Sequence, residues 1–373
     1  MKRFWNSLLV LSLFFSLPGC ALNLLIRPGV KPQETKYALT KDGWRIALYH
    51  YPATGLIKRK TPVVLCHGMA LNHYFWNLAK DVNFSGYLAS EGFDVWTVDL
   101  RGNGRSKRVN RFGDFKSEDV KEKESAKRSN LWTVDDYAGY DIPAILELIT
   151  KETGQSQVSW VGHSMGGMVM YVFLETAKET AKVKNFVALG SPVVLPNPAN
   201  DILRDMDGLQ KSVDGLIDIG LKGLRGTAFF TPVTSGLNPL DTLYFNRSNV
   251  DWDNVQRLYA HSLENIPRGV SRQMRELIET GEFKSYNKKF SYAKNLNKIE
   301  LPVLLVAAKG DALGSEYAVL TAYNGVASKD KTYRLFGTEN KYDVNYGHCD
   351  IIFGEKAPKE VYPFVAKWLA ARD

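Results

Sequence analysis

The sequence predicts an α/β fold with a mainly parallel central sheet, helices on both faces and a mostly helical insertion. Short apolar runs of strand type alternate with segments of helix type, a pattern typical of parallel sheets covered on both faces. The alternation stops after position 192 and resumes at a continuous apolar run at 301–308. Apolar residues make up 45% of the 373 residues, enough to bury a sizeable core.

The predicted elements follow in chain order. A turn at 40–43 separates two strand-type runs within 37–51, and the next elements are a strand at 62–66, a helix at 72–90, a strand at 93–100 and a polar surface loop at 107–130. A helix capped by Thr133 runs to about Lys151 and stops at Gly154. A strand at 157–161, a helix at 168–177 and a strand at 184–189 precede the insertion, and strands at 301–308 and 331–336 and a helix at 358–371 follow it.

The N-terminus carries the pattern of a bacterial lipoprotein signal. Lys2 and Arg3 precede an apolar run at 8–17 that is too short to span a bilayer. The run ends in Leu-Pro-Gly-Cys, which resembles a lipobox whose cysteine, here Cys20, is lipidated. We therefore expect a protein of the bacterial cell envelope, anchored through Cys20 in the outer membrane and facing the periplasm or the surface. An ordinary cleaved signal and an uncleaved anchor are the alternatives.

These observations divide the chain into five parts. Residues 1–19 are the predicted signal peptide and 20–35 a tether. Residues 36–192 and 301–373 are the two parts of the α/β core. Residues 193–300 are the insertion, which we expect to form a cap over the carboxyl ends of the strands, where the sites of α/β proteins lie.

Charge and cysteine content exclude several kinds of partner. The net charge is +8, or +6 once Lys2 and Arg3 are removed (8 − 2), which fits a protein near anionic lipid or simply a soluble surface. No zinc-finger spacing, aromatic–basic repeat or arginine-rich stripe predicts nucleic-acid binding. No metal-ligand spacing occurs, and no cofactor is predicted. Cys66 and Cys349 are expected to be small buried apolar groups rather than a disulfide.

The motif Gly-His-Ser-Met-Gly-Gly at 162–167 lies between a predicted strand and a predicted helix. In that context G-x-S-x-G is typical of a nucleophile elbow, a sharp turn that projects the serine hydroxyl out of the sheet. Ser164 is the candidate nucleophile. The amide of Met165 would lie at the helix N-terminus, free to stabilise an oxyanion.

Position along the chain selects the partners of Ser164. Where such an elbow occurs, the acid and then the histidine follow the serine. Of the six histidines, His348 alone lies after the last predicted strand. Asp311 follows the 301–308 strand in Lys-Gly-Asp and is the candidate acid; Asp343 and Asp350 are less well placed. The second oxyanion donor is expected to be the amide of Met69, which follows His67-Gly68 on a loop that His67 holds.

Longer stretches resemble the acid lipase family of α/β-hydrolases, the gastric and lysosomal lipases. They cover most of the predicted core and are V-V-L-C-H-G-M from Val63, G-F-D-V-W-T-V-D-L-R-G-N from Gly92, W-T-V-D-D-Y-A-G-Y-D-I-P-A from Trp132, N-L-N-K-I-E-L-P from Asn295, K-G-D from Lys309 and G-H-C-D-I-I-F-G from Gly347. The resemblance implies an α/β-hydrolase fold, with Ser164 as nucleophile, Asp311 as acid and His348 as base.

These patterns together predict a serine carboxylester hydrolase, similar to lipases, esterases or lysophospholipases, that cleaves acyl esters or lipids through an acyl-enzyme on Ser164. An amidase or peptidase could use the same three residues. A non-catalytic envelope lipoprotein with a binding cap is the alternative from another class, and the complete set Ser164, Asp311 and His348 disfavours it. No oligomeric state is predicted.

Overall fold

One sheet organises the molecule. The computed structural model describes residues 26, 29–109, 130–195 and 241–373 of the chain. The strands are β1 Glu34–Leu39, β2 Trp44–Tyr51, β3 Val63–Cys66, β4 Val95–Asp99, β5 Lys107–Arg108, β6 Val158–His163, β7 Val183–Leu189, β8 Val303–Ala308 and β9 Lys331–Phe336. Six of them, β3, β4, β6, β7, β8 and β9, pair in parallel, and β1, β2 and β5 join antiparallel at one edge. The order in the sheet is β1-β2-β4-β3-β6-β7-β8-β9, with β5 beside β2.

Helices cover both faces of this sheet, as predicted. The helices are α1 Phe84–Ser90; α2, which joins Val134–Asp136, a π-helical turn at Tyr137–Asp141 and Ile142–Thr153; α3 Met165–Thr176; α4 Asp241–Tyr244; α5 Trp252–Arg257; α6 Arg268–Thr280; α7 Glu316–Gly325; α8 Asp350–Phe353; and α9 Ala357–Ala370. Single turns of 3₁₀ helix lie at His73–Trp76, Thr180–Lys182, Arg247–Asn249, Leu296–Lys298 and Thr338–Asn340, and a π-helical turn at Leu258–Ser262.

The sheet has an apolar core on each of its two faces, because side chains alternate along its strands. Side chains alternate between the faces of a strand, so Val64 and Cys66 of β3 join one apolar cluster with α2 and α3. Val63 and Leu65 join the other cluster, with α1 and α9. The central strands are buried on both faces, which is why their sequences are continuously apolar.

The chain changes direction in the sheet between β3 and β6. After β3 the chain adds β4 on one side, and then returns to place β6 on the other side of β3. The loops after β3 and β6 therefore separate at a topological switch point, where α/β proteins bind their ligands. Ser164 follows β6, and His67 follows β3.

One predicted helix is wrong. Residues 72–90 form the 3₁₀ turn His73–Trp76 and the separate helix α1, rather than one continuous helix. Two asparagine side chains explain the break, because Oδ1 of Asn72 accepts from Tyr74 N and Oδ1 of Asn83 accepts from Gly86 N, so each starts its own helical turn. Helix α7, between β8 and β9, was not predicted, and β5 begins the segment predicted as a surface loop.

The described part of the insertion is mainly helical, as predicted, and is bonded to the core. Oε1 of Gln273 on α6 accepts from Val134 N (3.0 Å), and its Nε2 donates to Oδ1 of Asp135 (3.0 Å). The amide of Glu264 donates to the carbonyl of Ala70 (2.8 Å), on the loop after β3. Residues 196–240 lie outside the described residues, so the division into core and cap stays a prediction.

The predictions for the N-terminus also stay predictions. The signal peptide at 1–19 and Cys20 lie outside the described residues, as does half of the predicted tether at 20–35, whose last two residues belong to β1. In the described ranges, no helix has both the length and the apolar character needed to cross a membrane.

Candidate active site

Ser164 occupies a strained turn between β6 and α3. Its φ of 52° and ψ of −119° are sparsely populated by residues other than glycine. The turn is held because the Ser164 amide donates to the carbonyl of Leu189 on β7 (2.9 Å). The serine is partly exposed at the carboxyl end of the sheet. The strand–turn–helix context expected for the elbow is present.

Close backbone contacts explain the glycines of the motif. A Cβ atom at position 162 would stand 2.4 Å from the backbone of Gly166, and one at position 166 would stand 2.3 Å from the carbonyl oxygen of Cys66 on β3. Only glycine lets α3 approach the two strands so closely. Met165, the first residue of α3, has an amide with no acceptor inside the helix.

Ser164, His348 and Asp311 form one hydrogen-bonded chain. Nε2 of His348 lies 2.9 Å from Oγ of Ser164, and Nδ1 lies 2.8 Å from Oδ2 of Asp311. Because a carboxylate only accepts hydrogen bonds, Nδ1 carries the proton and Nε2 is left to accept from the serine hydroxyl. Both His348 and Asp311 are buried. The structure thus brings together the three residues that the sequence selected.

The Asp311 carboxylate is fixed by the chain that follows it. Its Oδ1 accepts from the amides of Leu313 (2.8 Å) and Gly314 (2.7 Å), which leaves Oδ2 for His348. Gly190, after β7, packs against this pair. A Cβ atom there would stand 2.9 Å from Oδ2 of Asp311 and 3.5 Å from Nδ1 of His348. A residue with a Cβ atom at position 190 would therefore push the Asp311 carboxylate or the His348 ring out of place.

His67 fastens the loop that carries Met69. Its Nδ1 donates to the carbonyl of Gly68 (2.8 Å), and its Nε2 accepts from the amide of Leu100 (3.2 Å). Burial lowers the pKa of His67, which keeps the ring neutral and able to accept. Gly68 lies against the elbow, since a Cβ atom there would stand 3.1 Å from Cβ of Ser164. Met69 follows Gly68 directly, and its amide stays the predicted second oxyanion donor.

Asp99, fully buried at the end of β4, fastens the next part of that loop. Its Oδ1 accepts from the amide and Nδ1 of His73 (2.9 and 3.0 Å), and its Oδ2 accepts from the Tyr49 hydroxyl (2.6 Å). Burial opposes ionisation, yet the electrostatic attraction and hydrogen bond of His73, together with the hydrogen bond of the Tyr49 hydroxyl, lower the pKa of Asp99 to about 2. The carboxylate is thus a fixed anchor for the loop.

Comparison with known proteins identifies the architecture. The family model of the alpha/beta hydrolase fold matches residues 61–354. The chain belongs to the α/β-hydrolase fold family.

Several relatives of this α/β-hydrolase are lipases. Lysosomal acid lipase/cholesteryl ester hydrolase of Macaca fascicularis is 26% identical over 89% of this chain and 86% of that protein. Gastric triacylglycerol lipase of Bos taurus is 24% identical, over 91% and 88%. The resemblance to the acid lipases is thereby confirmed. An esterase structure from Exiguobacterium antarcticum has a TM-score of 0.54 at 15% identity, covering 91% of this chain and 98% of that one, and supports the fold.

Sequence reasoning missed what His163 does in this α/β-hydrolase. Its ring is fully buried, and its Nε2 donates to the carbonyl oxygen of His348 (2.8 Å). Burial lowers the pKa of His163 far below its usual range, so the ring is neutral. Neither ring nitrogen of His163 hydrogen-bonds to the Ser164 hydroxyl. The sequence shows that His163 lies next to Ser164. It does not show the hydrogen-bond partner of the ring, because the His348 carbonyl lies 185 residues further along the chain.

The two carboxylates set aside in the sequence lie where they do not orient the base. Asp343 is exposed, and Asp350 is fully buried but accepts from main-chain and asparagine N–H groups instead of the imidazole. Among the described residues of this α/β-hydrolase, no cluster of His, Cys, Asp or Glu has the arrangement of a metal site. Cys66 and Cys349 are both buried free thiols.

Proposed function

We propose that the protein is a serine carboxylester hydrolase that cleaves acyl esters through an acyl-enzyme on Ser164. The observation that carries the proposal is the chain of contacts from Ser164 through His348 to Asp311, built on a nucleophile elbow at the switch point of the sheet. The names of the relatives, which are lipases, support an ester or lipid as the substrate.

The geometry accounts for each step of such a reaction. His348 takes the proton of the Ser164 hydroxyl as Oγ attacks the ester carbonyl carbon. Asp311 holds the imidazole in the required tautomer and stabilises the imidazolium that forms. The amides of Met165 and Met69 donate to the oxyanion. His348 then protonates the leaving alcohol, and the same ring activates the water that hydrolyses the acyl-enzyme.

A fluorophosphonate probe and a p-nitrophenyl ester test this function together. We expect the full chain to be labelled on Ser164 and to hydrolyse p-nitrophenyl butyrate, and Ser164→Ala to do neither while keeping its fold by circular dichroism. Hydrolysis of matched anilides at a comparable rate would favour the amidase alternative. A wild-type protein that is neither labelled nor active would support the non-catalytic alternative.

We also propose that the protein is anchored in the bacterial envelope through lipidated Cys20. The support is the sequence pattern at 1–20, in which a basic start and a short apolar run end at the cysteine. Mass spectrometry of the mature N-terminus tests it, with a diacylglyceryl-modified Cys20 as the expected result. Cys20→Ser should then release the protein from membranes or prevent its processing, whereas cleavage at another residue would contradict the anchor and leave the hydrolase proposal intact.

A further inference from the structure

The turn that carries His348 and the 246–249 segment of the insertion share one buried carboxylate, that of Asp350. Its Oδ1 accepts from the amides of Gly347 (2.8 Å) and Asn246 (3.0 Å), and its Oδ2 accepts from Nδ2 of Asn249 (2.7 Å). Gly347 directly precedes His348, whereas both asparagines belong to the insertion. Asp350 is fully buried. Its hydrogen bonds are therefore shielded from competing water.

A second contact joins the same two segments. The amide of Cys349, directly after His348, donates to the carbonyl of Tyr244 at the end of α4 (2.6 Å). On the other side, His163 donates to the carbonyl of His348. The main chain on either side of the base is thus held at three points, and two of them lead into the insertion.

We propose that Asp350 is a positioning residue that couples the insertion to the catalytic base. The inference rests on the proposed function, in which His348 is that base. Asp350 makes no bond to the imidazole, whose nitrogens contact Asp311 and Ser164. It acts through the main chain, because a shift of Asn246 or Asn249 alters the acceptor that fixes Gly347, and with it the aim of the ring at Ser164.

This coupling gives the insertion a role in turnover as well as in binding. Contacts between a substrate and the insertion that hold the 244–249 segment in place also hold His348 in its productive geometry. Binding energy from a part of the substrate remote from the ester is then expressed in kcat, not only in KM.

An exchange of the side chains of Asp350 and Asn249 tests the coupling. Asn249 also accepts from the amide of Lys356 through Oδ1 (3.2 Å), so its orientation is fixed. In Asp350→Asn, the new NH₂ group faces the NH₂ group of Asn249, so two donors meet. If the Asn249 amide flips to avoid this, its NH₂ group faces the N–H of Lys356, and again two donors meet. In Asn249→Asp, two carboxylates face each other. The double exchange Asp350→Asn with Asn249→Asp restores every donor–acceptor pair with no change in net charge.

We expect each single variant to lose on the order of 10- to 100-fold in kcat, as misplacement of a catalytic group by about 1 Å does. The double exchange should recover kcat to within about threefold of wild type, because the two sites share one interaction. Rates are measured with p-nitrophenyl butyrate and divided by the number of sites that the fluorophosphonate labels at completion. Unfolded molecules, which the probe does not label, are thereby excluded from the rate per site.

A second pair of variants isolates the bond from the insertion. The φ of Asn246 is −77°, which proline can adopt, so Asn246→Pro removes the amide donor to Asp350 without forcing a new backbone angle. Asn246→Ala is the matched control, because it loses the same side chain but keeps the N–H. Both variants lose the side-chain bonds of Asn246 to the Asn345 carbonyl (2.8 Å) and the Ser248 amide (3.0 Å), so we expect kcat per labelled site to be clearly lower for the proline variant than for the alanine variant.

The outcomes separate this inference from the proposed function. If wild-type protein is neither labelled nor active, the proposed function fails. If wild type is active but Asp350→Asn and Asn246→Pro keep their kcat per labelled site and lose only thermal stability, Asp350 is merely structural and the coupling is wrong. Failure of the double exchange to recover kcat, with its fold intact, would also overturn it.

Discussion

Gly190 and Asp311 pack so closely that no side chain fits between them. A Cβ atom at position 190 would stand 2.9 Å from Oδ2 of Asp311, the oxygen that accepts from His348. The φ of Gly190 is 57°, a left-handed value that residues with a Cβ rarely adopt. Gly190 therefore leaves room for the contact between Asp311 and His348, although it takes no part in the reaction itself.

Gly190→Ala should consequently impair turnover more than folding. We expect a loss of roughly 10- to 100-fold in kcat, because the methyl group displaces the carboxylate or the ring. Gly154→Ala is the matched control: its φ is 68°, but apart from its chain neighbours no described residue has an atom within 4 Å of the added Cβ, so it should lose about 1–2 kcal/mol of stability and no activity. Equal kcat for the two variants would contradict the crowding argument.

Replacement of the acid tests the tautomer argument. Asp311→Asn keeps the shape of the side chain but lets it donate to Nδ1 of His348, which moves the proton to Nε2 and leaves the Ser164 hydroxyl without an acceptor. We expect kcat to fall on the order of 10⁴-fold. Asp343→Asn, an exposed carboxylate close in sequence to His348, is the control and should be near wild type. Retained activity in Asp311→Asn would assign the acid to another residue.

A buried glutamate on α3 predicts a pH-dependent stability. Glu175 is 5% exposed, and neither carboxyl oxygen has a hydrogen-bond partner among the described residues. Burial, only partly offset by the charge of Lys298, raises its pKa from 4.5 to about 9. Between these values the folded state keeps a proton that the unfolded state releases. This contribution to stability is complete below pH 4.5 and is lost as pH rises to 9, at up to about 1.4 kcal/mol per pH unit.

Glu175→Gln removes the titrating group and should flatten that slope. We expect the free energy of unfolding of the variant to exceed that of wild type by a margin that grows between pH 5 and pH 8, measured by denaturant titration at each pH. Glu147→Gln on the exposed side of α2 serves as the control and should track wild type. A margin independent of pH would mean that the Glu175 carboxyl is already ionised in the folded protein.

Acyl-chain length should affect the specificity constant. The spacing of apolar residues in the insertion predicts that some of them line an acyl channel above Ser164; they lie outside the described residues and are Leu209, Val213, Leu216, Ile217, Leu221, Leu224, Phe229 and Phe230. Each methylene buried there contributes about 0.8 kcal/mol, up to about fourfold in kcat/KM. We expect kcat/KM to rise from acetyl to medium-chain p-nitrophenyl esters. A flat profile would leave an esterase with a small pocket.

Short segments of the sequence were enough to predict the alternation of strands and helices, the elbow at Ser164 and the choice of Asp311 and His348. These predictions depend on local period, on glycine spacing and on order along the chain, which can be read without knowing any long-range contact. Even there the 72–90 helix was wrong, because apolar spacing outweighed the capping asparagines, Asn72 and Asn83, in the prediction.

The other groups that hold the site became visible only in the folded chain. Gly190 matters only because β7 ends beside Asp311, and His163 only because the His348 carbonyl reaches its Nε2 from 185 residues away. The Asp350 junction likewise needs the insertion to return to the turn after β9. Such contacts join segments that share no local pattern, and they form because burial of the two apolar cores fixes where those segments meet.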